Sequence, residues 1–297
     1  MQTGLDAQAL PAMPYISTGE RDDDIKPSAH EGIGLEIMRD PRVRAVEWRD
    51  LANVNRFEVW KELTLSAPWI IASFVLASRH WYLPALACSF IFFLTGLRQV
   101  HNAYHYALGI SKTATEWVTF FLSVQMLGSM HAIMVTHLHH HRHCMDDEDV
   151  EASSARMKGW QAILLGPLFP IRLHWKALQL ANAKQRQWIL AELFVSALWV
   201  PYVWFLVPLP ILRYHVLAMA VGQCLTAFFA VWTVHHDCDR SHFIARTLRG
   251  KFRTLTTYEM FYHVEHHLFP KVPTCHLPEL SRRLDEVAPE LQQKRVF

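Results

Sequence analysis

The chain is built from long apolar blocks that alternate with stretches rich in charged residues and histidine. An α-helix needs about 20 apolar residues to cross the hydrocarbon core of a bilayer, with a range of about 17–25. Four blocks meet this requirement, at residues 63–79, 81–97, 187–207 and 211–234. Only short loops join the first block to the second and the third to the fourth. The pattern therefore predicts an all-α integral membrane protein with four transmembrane helices in two hairpins.

The polar segments around these blocks predict three further regions. Residues 1–30 contain proline, glycine and an acidic run but no apolar core of a signal peptide, so we expect a flexible tail. Residues 31–62 place apolar side chains at helical spacing among charges, which predicts one or two amphipathic helices on the membrane surface. Residues 235–297 predict a cytosolic, histidine-rich cap that ends in an amphipathic helix opened by Pro278. We expect residues 31–297 to form a single membrane-bound domain.

The distribution of basic residues predicts the orientation of the chain. Of the 29 lysines and arginines, only Arg79 and Arg213 fall in the two hairpin loops. Cytoplasmic loops of membrane proteins carry an excess of lysine and arginine, so we expect both termini and every histidine cluster in the cytoplasm. The five cysteines form no CxxC pair, which favours reduced thiols over a disulfide framework. No basic run is long enough to indicate nucleic-acid binding.

Histidine spacing carries the strongest chemical signal. The chain has 19 histidines, and eight of them fall into three groups with i, i+3 or i, i+4 spacing. Side chains at these spacings share one face of a helix. Two HxxHH triplets and an HxxxH pair are far more than random placement would give, so we predict that all eight histidines bind metal. They are His101, His105, His137, His140, His141, His263, His266 and His267.

The number and type of these donors narrow the choice of metal. Imidazole binds zinc, copper, iron and nickel. Eight donors exceed the coordination of one ion, so we expect a pair of ions. The HExxH motif of zinc proteases is absent, and so are the ligand-spaced carboxylates of soluble di-iron bundles. An all-imidazole pair at a membrane surface therefore points to iron and O2 chemistry.

A fifth apolar block, at residues 117–136, is long enough to span the membrane but separates His105 from His137. A spanning helix would place these two histidines on opposite faces, whereas a shared metal site needs both on one face. The block also contains polar residues such as Ser123 and His131, so it is less lipid-like than the other four. We therefore predict that it lies in the membrane interface, or dips into the bilayer and returns.

The segment from Tyr262 to Pro270, with the sequence YHVEHHLFP, resembles the third histidine box of the membrane fatty acid desaturases. The HNAYH segment at 101–105 and the HLHHH segment at 137–141 fit the first and second boxes of that family. The resemblance covers about residues 60–285. Desaturases, hydroxylases, acetylenases and carotenoid ketolases all belong to this superfamily, so the resemblance implies a type of site rather than one reaction.

The resemblance implies one more metal ligand, a histidine just after the last span. His235 and His236 stand there, and we favour His236. Asp237, Asp239 and Glu265 are further candidates, either as metal ligands or as acceptors that orient the imidazoles. We expect no side chain beyond the metal ligands to act as a general acid or base.

The function implied by the resemblance is O2-dependent oxidation of an unactivated C–H bond in a hydrophobic substrate. The implied cofactor is a pair of iron ions (Fe2+/Fe3+), with O2 as co-substrate. Desaturation of a fatty acyl chain, held as a thioester, a carrier-protein ester or a lipid, is the first expectation. The alternative is a hydroxylase, ketolase or acetylenase that acts on a carotenoid or natural-product scaffold. A third hypothesis is a histidine-rich membrane metal carrier without catalysis.

The electrons for such chemistry must come from another protein. The chain contains neither an HPGG-type haem segment nor a GxGxxG flavin fingerprint. A ferredoxin, a rubredoxin or a cytochrome b5 is therefore expected as the electron donor. We expect this donor to dock on the cytoplasmic cap, whose basic residues suit an acidic redox protein.

Overall fold

The computed structural model describes residues 36–238, 244–250, 254 and 256–289. This part of the chain is helical and contains no strand; its single isolated bridge joins Thr247 to Tyr262. The predicted flexible tail at 1–30 lies outside the described residues.

The helices are distributed along the whole described chain. The α-helices are α1 Glu36–Arg39, α2 Pro41–Arg44, α3 Arg56–Thr64, α4 Ala67–Ser78, α5 Tyr82–Tyr104, α6 Lys112–Met126, α7 Met130–His143, α8 Gly159–Leu164, α9 Leu168–Leu180, α10 Ala183–Pro201, α11 Pro210–Thr226, α12 Thr233–His235, α13 His263–Leu268 and α14 Leu277–Val287. Short 3-10 helices cover Arg49–Ala52, Glu151–Ser154 and Thr274–His276. Helical turns of π type cover Tyr202–Leu206 and Ala227–Trp232.

Four helical segments are long and apolar enough to cross a membrane, as the sequence predicts. They are Arg56–Ser78, Tyr82–Tyr104, Ala183–Leu206 and Pro210–His235. Each overlaps one of the four predicted spans. The second and fourth continue beyond the predicted ends, so their last turns carry His101 and His235.

The fifth apolar block is broken by a sharp turn. Helices α6 and α7 meet at a bend of 111°. Leu127 adopts a left-handed backbone there, with φ of 56°, and the Ser129 side chain accepts the backbone N–H of Ala132 at the start of α7. A left-handed leucine is uncommon and needs support from its surroundings. Such a break is what a segment that dips in and returns requires, and it sets the direction of α7 and its histidines.

A buried carboxylate holds this turn against α10. Glu192 is completely buried and accepts hydrogen bonds from the hydroxyls of Ser123 at 2.7 Å and Ser129 at 2.6 Å. The same carboxylate contacts Nδ1 of His131 at 2.5 Å, and Glu116 contacts Nε2 of that ring at 2.6 Å. One polar network thus joins α6, the turn, the start of α7 and α10.

A second buried network joins the first two spans to the C-terminal segment. Arg98 on α5 forms an ion pair with Glu62 on α3, and both side chains are buried. Asn102 donates to Glu62 at 3.0 Å and accepts the backbone N–H of Thr274 at 3.0 Å. Because Asn102 follows His101 directly in the chain, these bonds fix the last turn of α5, where the first histidine group begins.

The N-terminal segment packs on the C-terminal helix. The apolar positions Val43 and Leu51 are buried in one cluster with Leu280 and Leu284 of α14. The prediction of membrane-surface helices at 31–62 is therefore wrong for these positions, because α14 supplies the apolar face that covers them. Helix α14 itself forms where the sequence predicts an amphipathic helix.

Gly166 lets the turn between α8 and α9 approach α11 closely. A Cβ atom at Gly166 would lie 1.9 Å from the backbone oxygen of Cys224, whereas one at Gly96 would lie 2.8 Å from the movable side chain of Met126. We expect Gly166→Ala to lower the free energy of unfolding by about 1–3 kcal/mol, and Gly96→Ala to lower it less. Thermal unfolding of the two variants in detergent checks this; equal losses would contradict the close approach.

Candidate metal centre

Four helices bring histidines to one place. His101 lies in the last turn of α5 and His105 caps that helix, while α12 ends at His235. Helices α7 and α13 supply the HxxHH triplets, whose spacing places each triplet on one helical face, as predicted. The nine histidines that meet are His101, His105, His137, His140, His141, His235, His263, His266 and His267.

The nine rings form two sets of four, with the ninth ring beside the first set. Within each set the candidate ligand atoms all lie within 4.8 Å of one another. The first set is His101, His105, His137 and His266, and the second is His140, His235, His263 and His267. His141 places its Nε2 3.1 Å from Nε2 of His137 and 2.9 Å from Nε2 of His266.

Three of these rings are held in orientation by hydrogen-bond partners of Nδ1, the ring nitrogen that faces away from the interior of the cluster. The contacts of Nδ1 are from His137 to Glu151 at 3.1 Å, from His140 to Asp149 at 2.7 Å and from His235 to the backbone oxygen of Ile244 at 3.0 Å. Each partner is an acceptor, so each of these rings carries its proton on Nδ1. The lone pair then lies on Nε2, which faces the interior of the cluster.

The inward-facing nitrogens fit a bound cation. Nε2 of His235 lies 3.2 Å from Nε2 of His140 and 2.9 Å from Nε2 of His263. Lone pairs that face each other at such distances repel, and a metal ion between them removes the repulsion. Among the described residues, the buried Nε2 atoms of His101 and His105 have no hydrogen-bond partner, although buried polar atoms are normally paired. The donor set therefore fits metal ions.

The protonation state of the third histidine group also suits metal binding. Burial, together with the neighbouring imidazoles, holds the pKa values of His263, His266 and His267 well below the ordinary value of 6.5. These rings are neutral at physiological pH, as metal ligation requires.

Asp149 orients His140 from a buried position. Besides His140, its carboxylate accepts the backbone N–H groups of Met145 at 2.9 Å and Ala152 at 3.0 Å. Burial acts to raise the pKa of Asp149, but His140 and these two N–H groups outweigh burial and bring the pKa to about 2. The carboxylate is therefore ionised at neutral pH and keeps the proton of His140 on Nδ1.

Replacement of Asp149 by asparagine should weaken metal binding. The amide lacks the charge that fixes the His140 tautomer, and loss of such an acceptor lowers metal affinity about 10–100-fold. The metal retained after dialysis against a chelator measures the effect. Asp147→Asn is the matched control, because the Asp147 side chain in the same turn is 98% exposed. Equal retention in the two variants would contradict the orienting role.

The structure brings His235, and not the favoured His236, into the histidine cluster. Helix α12 ends at His235, and His236 follows with an extended backbone, so the two side chains point in different directions. The His236 ring stacks on Trp232 at 3.9 Å and bonds through Nδ1 to the Trp232 backbone oxygen. The preference for His236 is therefore replaced by His235 as the candidate ligand.

Two of the three carboxylates suggested by the sequence, Glu265 and Asp237, do not join the cluster. Glu265 is buried but bonds to Thr247 at 2.9 Å and pairs with Arg249 at 2.7 Å, which anchors α13 to the preceding segment. Asp237 is largely exposed and lies near Arg246. Asp239 lies outside the described residues. Among the described residues, the acidic contacts of the clustered rings come instead from Asp149 and Glu151.

Asp149 and Glu151 are the residues that sequence reasoning missed. Both belong to the acidic run DDEDVE that begins shortly after the second histidine triplet. Carboxylates commonly accept the second ring proton of metal-bound histidines, so this acidic run was the available signal. The turn that brings these carboxylates back onto α7 could not be predicted from the spacing of the acidic residues.

An apolar cavity of about 70 Å³ lies beside the two sets of rings. Its walls come from α5, α9 and the π-helical turn Ala227–Trp232, and the rings of His101, His137 and His263 also line it. Turns of π type are rare and frequently occur at functional sites. The lining suits an apolar group held against the histidines.

A comparison with protein families agrees with this geometry. The sequence model described as "Fatty acid desaturase" matches residues 77–296. That range covers well over half of the 297 residues and contains all nine clustered histidines. No curated protein matches the chain at a significant level.

Proposed function

Since the chain belongs to the fatty acid desaturase family, a family of oxidoreductases, we propose that it is an integral-membrane di-iron enzyme that oxidises an unactivated C–H bond with O2. The proposed substrate is a fatty acyl chain or lipid, which would lose two hydrogens to form an alkene. The observation that carries the proposal is the meeting of nine histidines, eight of them in two sets of four, beside an apolar cavity.

The two sets of rings would each hold one iron ion. His101, His105, His137 and His266 would hold the first ion, with His141 beside them, and His140, His235, His263 and His267 the second. Bound iron would supply the activation of O2 that no amino-acid side chain provides. Asp149 and Glu151 would hold the rings in one tautomer and orientation, so the chain would contribute a preorganised, all-imidazole donor set.

The apolar cavity supports the proposal that the substrate is hydrophobic. Its lining would exclude water and place one part of an extended chain against His101, His137 and His263. The position of the extended chain along the cavity would decide which of its carbons is oxidised. Hydroxylation of another apolar scaffold would use the same arrangement. Analysis of the product distinguishes hydroxylation from desaturation. A metal carrier without catalysis has no need of such a cavity.

The proposed topology has two hairpins, with the metal site and both termini in the cytoplasm. The four candidate spans and the near absence of basic residues from the two hairpin loops support it. Electrons would come from a ferredoxin, a rubredoxin or a cytochrome b5 at the cytoplasmic side.

Product analysis tests the proposed reaction. The iron-loaded protein in lipid nanodiscs, supplied with a reductase, a ferredoxin and O2, should convert a fraction of saturated acyl chains into products lighter by two hydrogens. Mass spectrometry of the lipids, with an anaerobic sample as control, measures this. A gain of one oxygen atom from 18O2 would show hydroxylation instead. Iron-loaded protein that consumes reductant without changing any acyl or carotenoid substrate would contradict the oxygenase proposal.

A further inference from the structure

Helix α7 carries a second pair of histidines outside the nine-ring cluster. His139 and His143 are four residues apart, so both project from one side of the helix. Their rings lie 4.2 Å apart with an interplanar angle of 16°. Neither ring belongs to the two sets that form the metal centre.

The turn after α7 brings carboxylates to this pair. Oε2 of Glu148 lies 4.0 Å from Nε2 of His139 and 3.9 Å from Nδ1 of His143. Oδ2 of Asp146 lies 3.0 Å from Nδ1 of His143. The candidate ligand atoms of His139, His143 and Glu148 all lie within 4.8 Å of one another. The Glu148 side chain is 69% exposed, so ions in solution can reach the group.

We propose that His139, His143 and Glu148 form a separate surface site for a divalent transition-metal ion, best suited to Zn2+. Two imidazoles and one carboxylate oxygen are a common set of protein ligands for zinc, at about 2.0–2.2 Å from the ion, with water as the fourth ligand of the tetrahedron. Such bonds place neighbouring donors about 3.3 Å apart, so the observed separations need only small side-chain rotations. Magnesium and calcium prefer oxygen ligands throughout and suit this site less well.

The surface site is selective against iron. Zinc binds a given nitrogen and oxygen donor set more tightly than ferrous iron does, and an exposed site cannot exclude it. The surface pair would therefore take up zinc from solution, whatever metal the buried cluster holds. This inference does not depend on the proposed oxidation reaction, because none of its three ligands takes part in the buried cluster.

The surface site adjoins Asp149, a residue that orients the buried cluster. Glu148 and Asp149 are neighbours in the turn after α7, and Asp149 accepts from the buried ring of His140 at 2.7 Å. A cation bound by Glu148 and by the two histidines of α7 would hold this turn against the helix. Binding to the folded state alone stabilises it by mass action, so zinc should raise the temperature of unfolding.

Lys176 offers a second signature of the site. This residue of α9 interacts electrostatically with His139, and its positive charge opposes a bound cation. Lys176→Gln should therefore tighten zinc binding, whereas loss of a ligand should weaken it. If the histidine pair had only a structural role, Lys176→Gln would not tighten zinc binding.

Calorimetric titration of the iron-loaded, untagged protein with Zn2+ tests the proposal after an EDTA wash. We expect one additional ion per chain, at least about tenfold weaker binding in His143→Ala and Glu148→Gln, and tighter binding in Lys176→Gln. His80→Ala, which alters an exposed histidine in the loop between α4 and α5, is the control and should bind like wild type. Tetrahedral Co2+ absorption in place of zinc gives an independent spectroscopic readout.

Two outcomes would overturn the site: no uptake beyond the buried metal, or uptake that persists unchanged in both His143→Ala and Glu148→Gln. Glu148 is exposed, so its substitution keeps the test valid if His143→Ala fails to fold. His263→Ala separates this proposal from the proposed function: that variant should lose the iron of the second set, while the part of its zinc uptake that Glu148→Gln removes should remain.

Discussion

Replacement of His235 by alanine should remove the iron ion proposed for the second set and abolish the proposed oxidation. The ring is buried, its Nδ1 bonds to the Ile244 oxygen, and its Nε2 lies 2.9 Å from that of His263 and 3.2 Å from that of His140. Even residues that only orient metal ligands contribute about 10–100-fold to metal affinity or activity. We therefore expect a loss of at least about 100-fold in product formation, measured together with iron per chain.

His236→Ala is the matched control for this experiment. It removes the same side chain from the next position, where the ring stacks on Trp232 outside the cluster. We expect iron content and product formation close to those of the wild type. If His236→Ala loses iron and His235→Ala keeps it, the ligand set of the second ion is wrong.

Replacement of Glu192 by alanine should have the largest effect on stability. The carboxylate is fully buried and receives the hydroxyls of Ser123 and Ser129, the backbone N–H of His131 and a contact from its ring. Removal of one partner from a buried charged network costs about 3–5 kcal/mol, because the remaining groups stay buried without compensation. We expect a loss of this size in the free energy of unfolding in detergent.

The control for Glu192→Ala is Glu286→Ala, whose side chain is 63% exposed on α14. Its unfolding transition should stay near that of the wild type. A loss below about 1 kcal/mol in Glu192→Ala would contradict the role of this network, since even one unsatisfied buried polar group costs about 1–3 kcal/mol. Glu192→Gln keeps part of the hydrogen bonding and should fall between the two.

The histidine triplets were predictable because their geometry is local. Spacings of i, i+3 and i, i+4 fix a shared helical face without knowledge of the rest of the fold, and the structure brings all eight predicted rings together. The four candidate spans were predictable for a similar reason, since length and apolar content decide them. The break in the fifth block was predicted because a shared metal site needs His105 and His137 on one membrane face, and not from the local sequence pattern.

The choice between His235 and His236 could not be made from spacing. It depends on the residue at which α12 ends, and the ends of helices are the part of a fold that sequence patterns predict least well. Glu192 is a similar case: by sequence it stands near the end of a span, but its partner Ser123 is 69 residues away in the chain. The burial of Val43 against α14 also depends on a contact between distant segments, and amphipathic spacing alone does not name the covering surface.

The most direct test of the central claim is the metal content of the purified protein after growth in iron-replete medium, anaerobic preparation and an EDTA wash that clears exposed sites. The proposed function predicts about two iron ions per chain, and His263→Ala should lose at least the ion of the second set. Stoichiometric zinc in place of iron, or metal content indifferent to His263→Ala, would contradict a di-iron centre built from these nine histidines.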